Sequence, residues 1–512
     1  MALKGTTKIE LTNVKTGEKE IIEKDNLVTN AVASALENPF AWQLKTYYGS
    51  SYFAGNMLPL CPNLFGGILL YEDAIPEDAN QLYAQSDNVL VGYSSRTVNS
   101  GTDQLRGSMN QTESGVLDTN DGYRFVFDFE TSQANGTISA VGLTSKWGGI
   151  AGNGSIHYKN TQSPCVYSAQ YNIDDKDIAY AYTTLLHYDA DTGIATSMYV
   201  SGQNMITVTR IQLHTKAWKL TRNMNLVDAS QVVDTQIIET QTFAGTSVSG
   251  GYLYYNLCDG GDGYIWGFEH AANANGNSAD SASINWIKIK LDDLSFEEGT
   301  WSINGQLYSM GIRYNGVASA RNYRYNDRAN CVVLDGYLYC FNYGLTGVYK
   351  INLSNPTDIT FIEHPDKTIL LYSSSSSSSS SSYYYYYYST ANLAVAGNRV
   401  CMWNGWINGE TIVPNAYSTG RYNSNADLGD GWYDTSDVTN YPYRNSCGLC
   451  GIKIGVFLLY FSAYRQSSAT ASTVHANLLL DSPYLATINN LPTPVQKTAD
   501  KTMKITYILR EE

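Results

Sequence analysis

Three short segments, TRIQL (209–213), IKIKL (287–291) and YKINL (349–353), share one form, and each is followed by a polar turn: HTKAW, DDLSF and SNPTD. Each ends in a basic residue, isoleucine, any residue and leucine. A second motif precedes two of them, DGYIWGF (262–268) and DGYLYCF (335–341), with GNRVCMW (397–403) as a looser third copy. Asp-Gly and Gly-Asn are turn dipeptides that tolerate positive φ, and the aromatic residues after them suit a strand. Each unit therefore reads as a turn, an aromatic strand, a loop and a strand ending in Ile-x-Leu. A small antiparallel sheet of this kind cannot bury both faces alone, and stacking like units around an axis solves the problem. The pattern runs from residue 175 to 465 and predicts a β-propeller of about five to seven blades. A pair of β-sandwiches is the competing architecture, because aromatic strands after Asp-Gly turns also occur in ordinary hairpins.

The 512 residues exceed what one ordinary core accommodates. With 43 glycines, 42 tyrosines and only 16% charged residues, the chain favours short strands and tight turns over long helices. TKIELTNV and EKEIIEKDN alternate around KTGE and predict an N-terminal β-hairpin. Asn30 is placed to cap a short helix over AVASALENP. Phe125, Phe127 and Phe129 alternate along one strand, and Met503, Ile505 and Tyr507 along another near the C-terminus. The organisation expected is mainly β. Residues 1–165 form a β-rich, sandwich-like attachment domain and residues 166–470 an inserted propeller-like display domain. Residues 471–512 return to complete the first sheet, since pairing protects an open edge.

A net charge of −14, from 33 basic and 47 acidic residues, argues against nucleic-acid binding, which requires basic surface. The N-terminal segment lacks the apolar run of a secretory signal, and GVFLLYF (455–461) is too short to span a bilayer, so synthesis in the cytoplasm without membrane insertion is expected. Eight scattered cysteines do not form a disulfide framework and are expected to be reduced and mostly buried. Cys447 and Cys450 have zinc-ligand spacing but lack a second pair, and the six histidines have no partner at ligand spacing, so neither metal nor cofactor is expected. The acidic turns DADTG (189–193) and DGGDG (259–263) do not continue into a calcium loop and read as hairpin turns. No Gly-x-Ser-x-Gly elbow, His-Glu-x-x-His helix or sialidase-type Ser-x-Asp-x-Gly-x-Thr-Trp turn is present, and no catalytic residue is assigned.

Aromatic recognition is the chemistry the sequence favours, because tyrosine presents a flat apolar face and a hydroxyl at small rotamer cost. RNYRYNDRAN (321–330) and the segment 415–446 are rich in Tyr, Asn, Ser, Asp and Gly. Tyr323, Tyr325, Trp403, Trp406, Trp432 and Tyr433 are the candidate ligand contacts, with buried strand aromatics as the alternative explanation. Ten serines followed by six tyrosines at 373–388 fall between KTILLY and TANLAVAGNRVCMW, both read as strands. The serines are expected to cross a gap. The tyrosines are expected to form a strand, with Tyr383, Tyr385 and Tyr387 facing opposite to Tyr384, Tyr386 and Tyr388.

TTKIELTNVKTGEKEIIEKDNLVTNAV, LFGGILLYEDAI, ANGTISAVGLTSKWGG and NNLPTPVQKTADKTMKITYILRE resemble segments of tail-fibre, baseplate or receptor-binding proteins from phages and prophages of Gram-positive gut bacteria. The resemblance covers the two ends of the chain, not its middle. It implies a virion protein, commonly a homotrimer, that contacts other tail proteins through its terminal module. Its middle would bind a host surface glycan or protein. A glycan-cleaving depolymerase on the same scaffold and a purely architectural virion component are the alternatives it leaves open.

Overall fold

The computed structural model describes residues 3–37, 60–99, 103–152, 165–173, 185–189, 192–202, 205–212, 236–248, 251–270, 280–308, 310–314, 331–369, 393–402, 405–414, 452–465 and 472–511. The protein is mainly β. Both ends of the chain contribute to one large sheet, here the terminal sheet. Its strand order is Leu90–Ser95, Gly67–Tyr71, Gly136–Thr144, Thr487–Lys497, Lys19–Val28, Leu3–Asn13, Lys501–Glu511, Gly122–Phe129 and Ser108–Met109, with Gly115–Val116 paired beside Gly122–Phe129. Neighbours along this path are antiparallel. The two edges then meet, because Tyr93 forms a parallel bridge with Arg106. There Tyr93 N donates to Leu105 O at 2.9 Å and Gly107 N donates to Tyr93 O at 2.8 Å. The sandwich-like arrangement expected of this region is thus replaced by one nearly closed antiparallel sheet, in which closure removes the open edges that a sandwich must protect.

The alternating residues define its core. Ile9, Leu11, Phe125, Phe127, Phe129, Met503, Ile505, Tyr507 and Leu509 share one buried cluster. Leu3–Asn13 and Lys501–Glu511 pair in register over their whole length, which sets Ile9 opposite Ile505 and Leu11 opposite Met503. The N-terminal hairpin turns at Gly17, whose φ of 72° suits glycine, while Asn13 Oδ1 accepts from Lys15 N and Thr16 N. Helix α1 (Asn30–Glu37) begins one residue earlier than its sequence suggests. Thr29 is its cap, its Oγ1 accepting from Ala31 N at 3.2 Å, while Asn30 Nδ2 donates instead to Asn80 Oδ1 at 2.8 Å.

Between the two parts of the terminal sheet lie five four-stranded antiparallel meanders. Sheet I comprises Leu185–Asp189, Ile194–Gly202, Met205–Gln212 and Gln236–Ala244; sheet II comprises Asn256–Asp259, Tyr264–Glu269, Ser281–Lys290 and Phe296–Asn304. Sheet III is Cys331–Leu334, Tyr337–Phe341, Gly347–Asn352 and Ile359–Glu363, and sheet IV is Leu393–Ala396, Arg399–Met402, Gly405–Asn408 and Thr411–Pro414. Sheet V takes Ile452–Ile454, Phe457–Arg465 and Ser472–Leu480 from the end of the region, and its fourth strand, Cys165–Ile173, from the beginning. The first strands of sheets I, II, III and IV contact one another in succession. A three-stranded ribbon takes Thr246–Val248 and Gly251–Tyr254 from between sheets I and II and Ile312–Tyr314 from between sheets II and III.

The sequence motifs occupy equivalent places in these sheets. TRIQL, IKIKL and YKINL fall on the third strands of sheets I, II and III, and the three turn-plus-aromatic motifs fall on the second strands of sheets II, III and IV. The Asp335–Gly336 turn has φ of 49° and 80°, the positive values the dipeptide was read for. KTILLY departs from expectation. Sheet III ends at Glu363, and Lys367–Ile369 is irregular, with Ile369 buried. The Ser/Tyr tract lies outside the described residues.

Candidate functional site

Strand direction gives the five sheets two distinct ends. In sheets I, III, IV and V the ends that carry the turns joining first to second strands meet the terminal sheet and its neighbouring segments. In sheet III Ser86 Oγ donates to the Asp335 carboxylate. In sheet IV Gly397 N donates to Asp481 Oδ1 at 3.0 Å and Asn398 Nδ2 to Ala84 O at 3.1 Å. In sheet V Val456 N donates to Ser34 Oγ at 3.0 Å. In sheet I Ala195 and Ile211 enter the core cluster of the terminal sheet. Because the strands alternate in direction, connections from second to third strands and from one sheet to the next start and finish at the opposite end.

The described strand ends at that far end flank most of the predicted recognition segments. Tyr314 and Cys331 flank 315–330, which contains Tyr323 and Tyr325; Met402 and Gly405 flank Trp403; Pro414 and Ile452 flank 415–451, which contains Trp432, Tyr433, Cys447 and Cys450. Those residues lie outside the described set. Trp406 is described, and it is 2% exposed. It packs with Tyr71, Leu69 and Leu485 in a core cluster and lies 5.1 Å beneath the Arg399 guanidinium. The candidate contact at Trp406 is therefore corrected to a core residue, because its strand places it on the face turned to the terminal sheet.

The titratable groups are mostly committed to structure. His187 Nδ1 and Asp259 Oδ2 are 2.7 Å apart and join the first strands of sheets I and II. The bond to Asp259 raises the His187 pKa, burial opposes it, and the charges of Asp259 and Asp189 add to the rise. A raised folded pKa means that this link contributes fully below the unfolded value of about 6.5 and is lost as pH climbs through the folded pKa. Asp259→Asn should accordingly lower the melting temperature more at pH 6 than at pH 9, and an equal loss at both would remove His187 from the explanation.

Glu269, 3% exposed, accepts through Oε1 from Thr246 Oγ1 at 2.6 Å and Asn285 Nδ2 at 3.0 Å. Burial raises its pKa and these two bonds resist the rise. His270 Nδ1 donates to Ser283 O at 2.6 Å and burial lowers its pKa. The acidic turns close hairpins, as read. Thr192 Oγ1 donates to Asp189 Oδ2 at 2.6 Å, Gly261 N to Asp259 Oδ1 at 2.9 Å, and Trp266 Nε1 to Asp262 Oδ2 at 3.1 Å. Among the described residues no group of three or more His, Cys, Asp or Glu side chains could hold a metal ion. Cys61, Cys258, Cys331, Cys340 and Cys401 are in no disulfide, and all of these but Cys61 are buried. No helix among the described residues is long and apolar enough to cross a membrane.

An aromatic surface that the sequence reading did not single out lies on the side of sheet II facing sheet III. Trp266, Trp286 and Trp301 form a triangle with ring centroids 5.7–6.2 Å apart, and Trp286 and Trp301 are tilted by only 29°. Trp266 is buried, whereas Trp286 and Trp301 are half-buried. Lys288 Nζ sits 3.9 Å from the Tyr264 ring centroid and 5.0 Å from that of Trp266. On the side of sheet III that packs against the same core cluster, Tyr349 packs on Phe361, which is 42% exposed. The signal was present in SINWIKIK, where alternation puts Trp286 on one face with Ile284 and Lys288.

No family model matches the chain, and a search of the curated proteins finds no match.

Proposed function

We propose that this protein is a structural component of a phage tail, baseplate or fibre. In this reading its terminal sheet docks to other virion proteins and its five meanders, arranged as a β-propeller, face the host cell. Cys165–Ile173, as the outer strand of the last blade, would tie the end of the propeller to its beginning. The observation that carries the reading is the polarity of the fold. Both ends of the chain are gathered into the sheet at one end, and the connections richest in Tyr, Asn and Gly depart from the other. Large changes of loop length are tolerated there, since closure entropy grows slowly with length, so the far end can vary while the attachment end stays fixed. Assembly as a homotrimer fits the resemblance of the termini.

Fluorescently labelled protein is expected to decorate cells of a Gram-positive gut host, and replacing residues 418–446 with a short Gly-Ser linker is expected to remove the decoration. Incubation with the same cell walls should release no reducing sugar. Steady sugar release would establish the depolymerase instead, and absence of decoration on every host that adsorbs the phage would leave a purely architectural part.

A further inference from the structure

We propose that the lateral groove between sheets II and III is a glycan-binding site that stacks a neutral, β-linked, gluco-configured saccharide on Trp286 and Trp301. The two indoles are inclined by 29° to one another and are partly exposed on one face. Tyr349 and Phe361 form the opposite wall, with centroids 5.1 Å apart. A pyranose with equatorial substituents presents two flat C–H faces, and these complement the faces of aromatic side chains.

The backbone is shaped to keep these rings at the surface. A Cβ at Gly299 would lie 2.8 Å from the Trp286 ring, and one at Gly347 would lie 2.8 Å from the Phe361 ring. Gly299 sits directly opposite Trp286, and Gly347 sits opposite Glu363, two residues from Phe361 along the adjacent strand, so each ring has room to lie across the strand beside it. Trp286 is opposite Gly299, and on the same face Lys288 is opposite Glu297. The polar borders of the groove thus carry one cation and one anion beside the rings, which can pair with hydroxyl groups.

The size and charge of the surface select this occupant. A large aromatic side chain buries roughly 150–250 Å² in full, so the partly exposed Trp286, Trp301 and Phe361 together offer on the order of 200 Å², the footprint of about one sugar ring. A stable protein partner or a second copy of the chain needs about 800 Å² on each side. Exposed Glu297 at the rim and the net charge of −14 disfavour a polyanionic glycan. The site stands apart from the proposed virion role, since it lies on the side of the sheets rather than at their far end.

Titration of the full-length protein with cellohexaose and with chitohexaose, followed by tryptophan fluorescence and calorimetry, tests it. At least one of the two should give saturable binding. Trp301→Ala and Gly299→Val should each weaken that binding by about tenfold or more, the range of a central aromatic contact. Their far-ultraviolet circular dichroism and cooperative melting should be retained. Gly299→Val keeps every aromatic side chain and so separates ring placement from ring removal. Absence of saturable binding to both oligosaccharides overturns the proposal, as does undiminished affinity in both folded variants.

Discussion

Deleting the last strand, Lys501–Glu511, is expected to prevent folding of the whole protein. The strand lies in the middle of the terminal sheet, paired with Leu3–Asn13 on one side and Gly122–Phe129 on the other. Met503, Ile505, Tyr507 and Leu509 are each at most 4% exposed, and they meet Ile9, Leu11 and the three phenylalanines. At about 1.5–3 kcal/mol per fully buried large side chain, the four account for roughly 10 kcal/mol before the two ladders of backbone hydrogen bonds are counted. That is comparable with the entire stability of a typical domain. The deletion should give insoluble protein, or soluble protein with no cooperative transition by circular dichroism. Ile505→Ala is the graded form and should cost about 2–5 kcal/mol by denaturant unfolding, whereas Val116→Ser, at a site 64% exposed, should cost almost nothing. A truncated protein that melts like the full chain would show that the terminal sheet does not depend on this strand.

The same alternation explains how much of the fold could be read in advance. Strand burial has a period of two, so Phe125, Phe127 and Phe129 declare a buried face wherever they fall, and the Asp-Gly turn declares its positive φ. The Ile-x-Leu and aromatic motifs located equivalent strands for the same reason, since each sheet asks the same of its second and third strands. Edge-to-edge relations are of another kind. The bridge between Tyr93 and Arg106 that nearly closes the terminal sheet depends on twist accumulated across nine strands, and no local pattern encodes it. The site was least legible because indoles in the core and indoles at a surface have the same sequence signature. Trp406 and Trp286 both sit in strands among apolar neighbours. One is covered by the terminal sheet, while the other lies partly exposed next to an edge strand where Gly299 makes room.

Arg399→Ala should be the most damaging single substitution at the junction between the terminal sheet and sheet IV. The guanidinium is 5% exposed, with Nη2 donating to Asn88 O at 2.8 Å, Nη1 donating to Asn408 Oδ1 at 3.2 Å, and the Trp406 ring 5.1 Å away. Asn408 extends the link, because its Oδ1 accepts from Leu90 N at 2.9 Å and its Nδ2 donates to Leu90 O at 2.8 Å. One cation therefore holds a loop and a strand of the terminal sheet against two strands of sheet IV through neutral oxygen acceptors. Truncation leaves the Asn88 carbonyl without this donor, weakens the hold on Asn408 and opens a cavity over Trp406, which together should cost about 3–5 kcal/mol. Arg399→Lys keeps the charge but not the planar fork that reaches both acceptors, so it should recover less than half of the loss. Arg399→Met fills the volume without donating and should stay close to the alanine variant if hydrogen bonds dominate. Calorimetry adds a second readout. With this contact intact the terminal sheet and sheet IV should unfold together, and in Arg399→Ala the transition should broaden or split. Were Arg399→Met instead as stable as the native protein with a single transition, packing alone would hold the junction and the directional bonds would be dispensable.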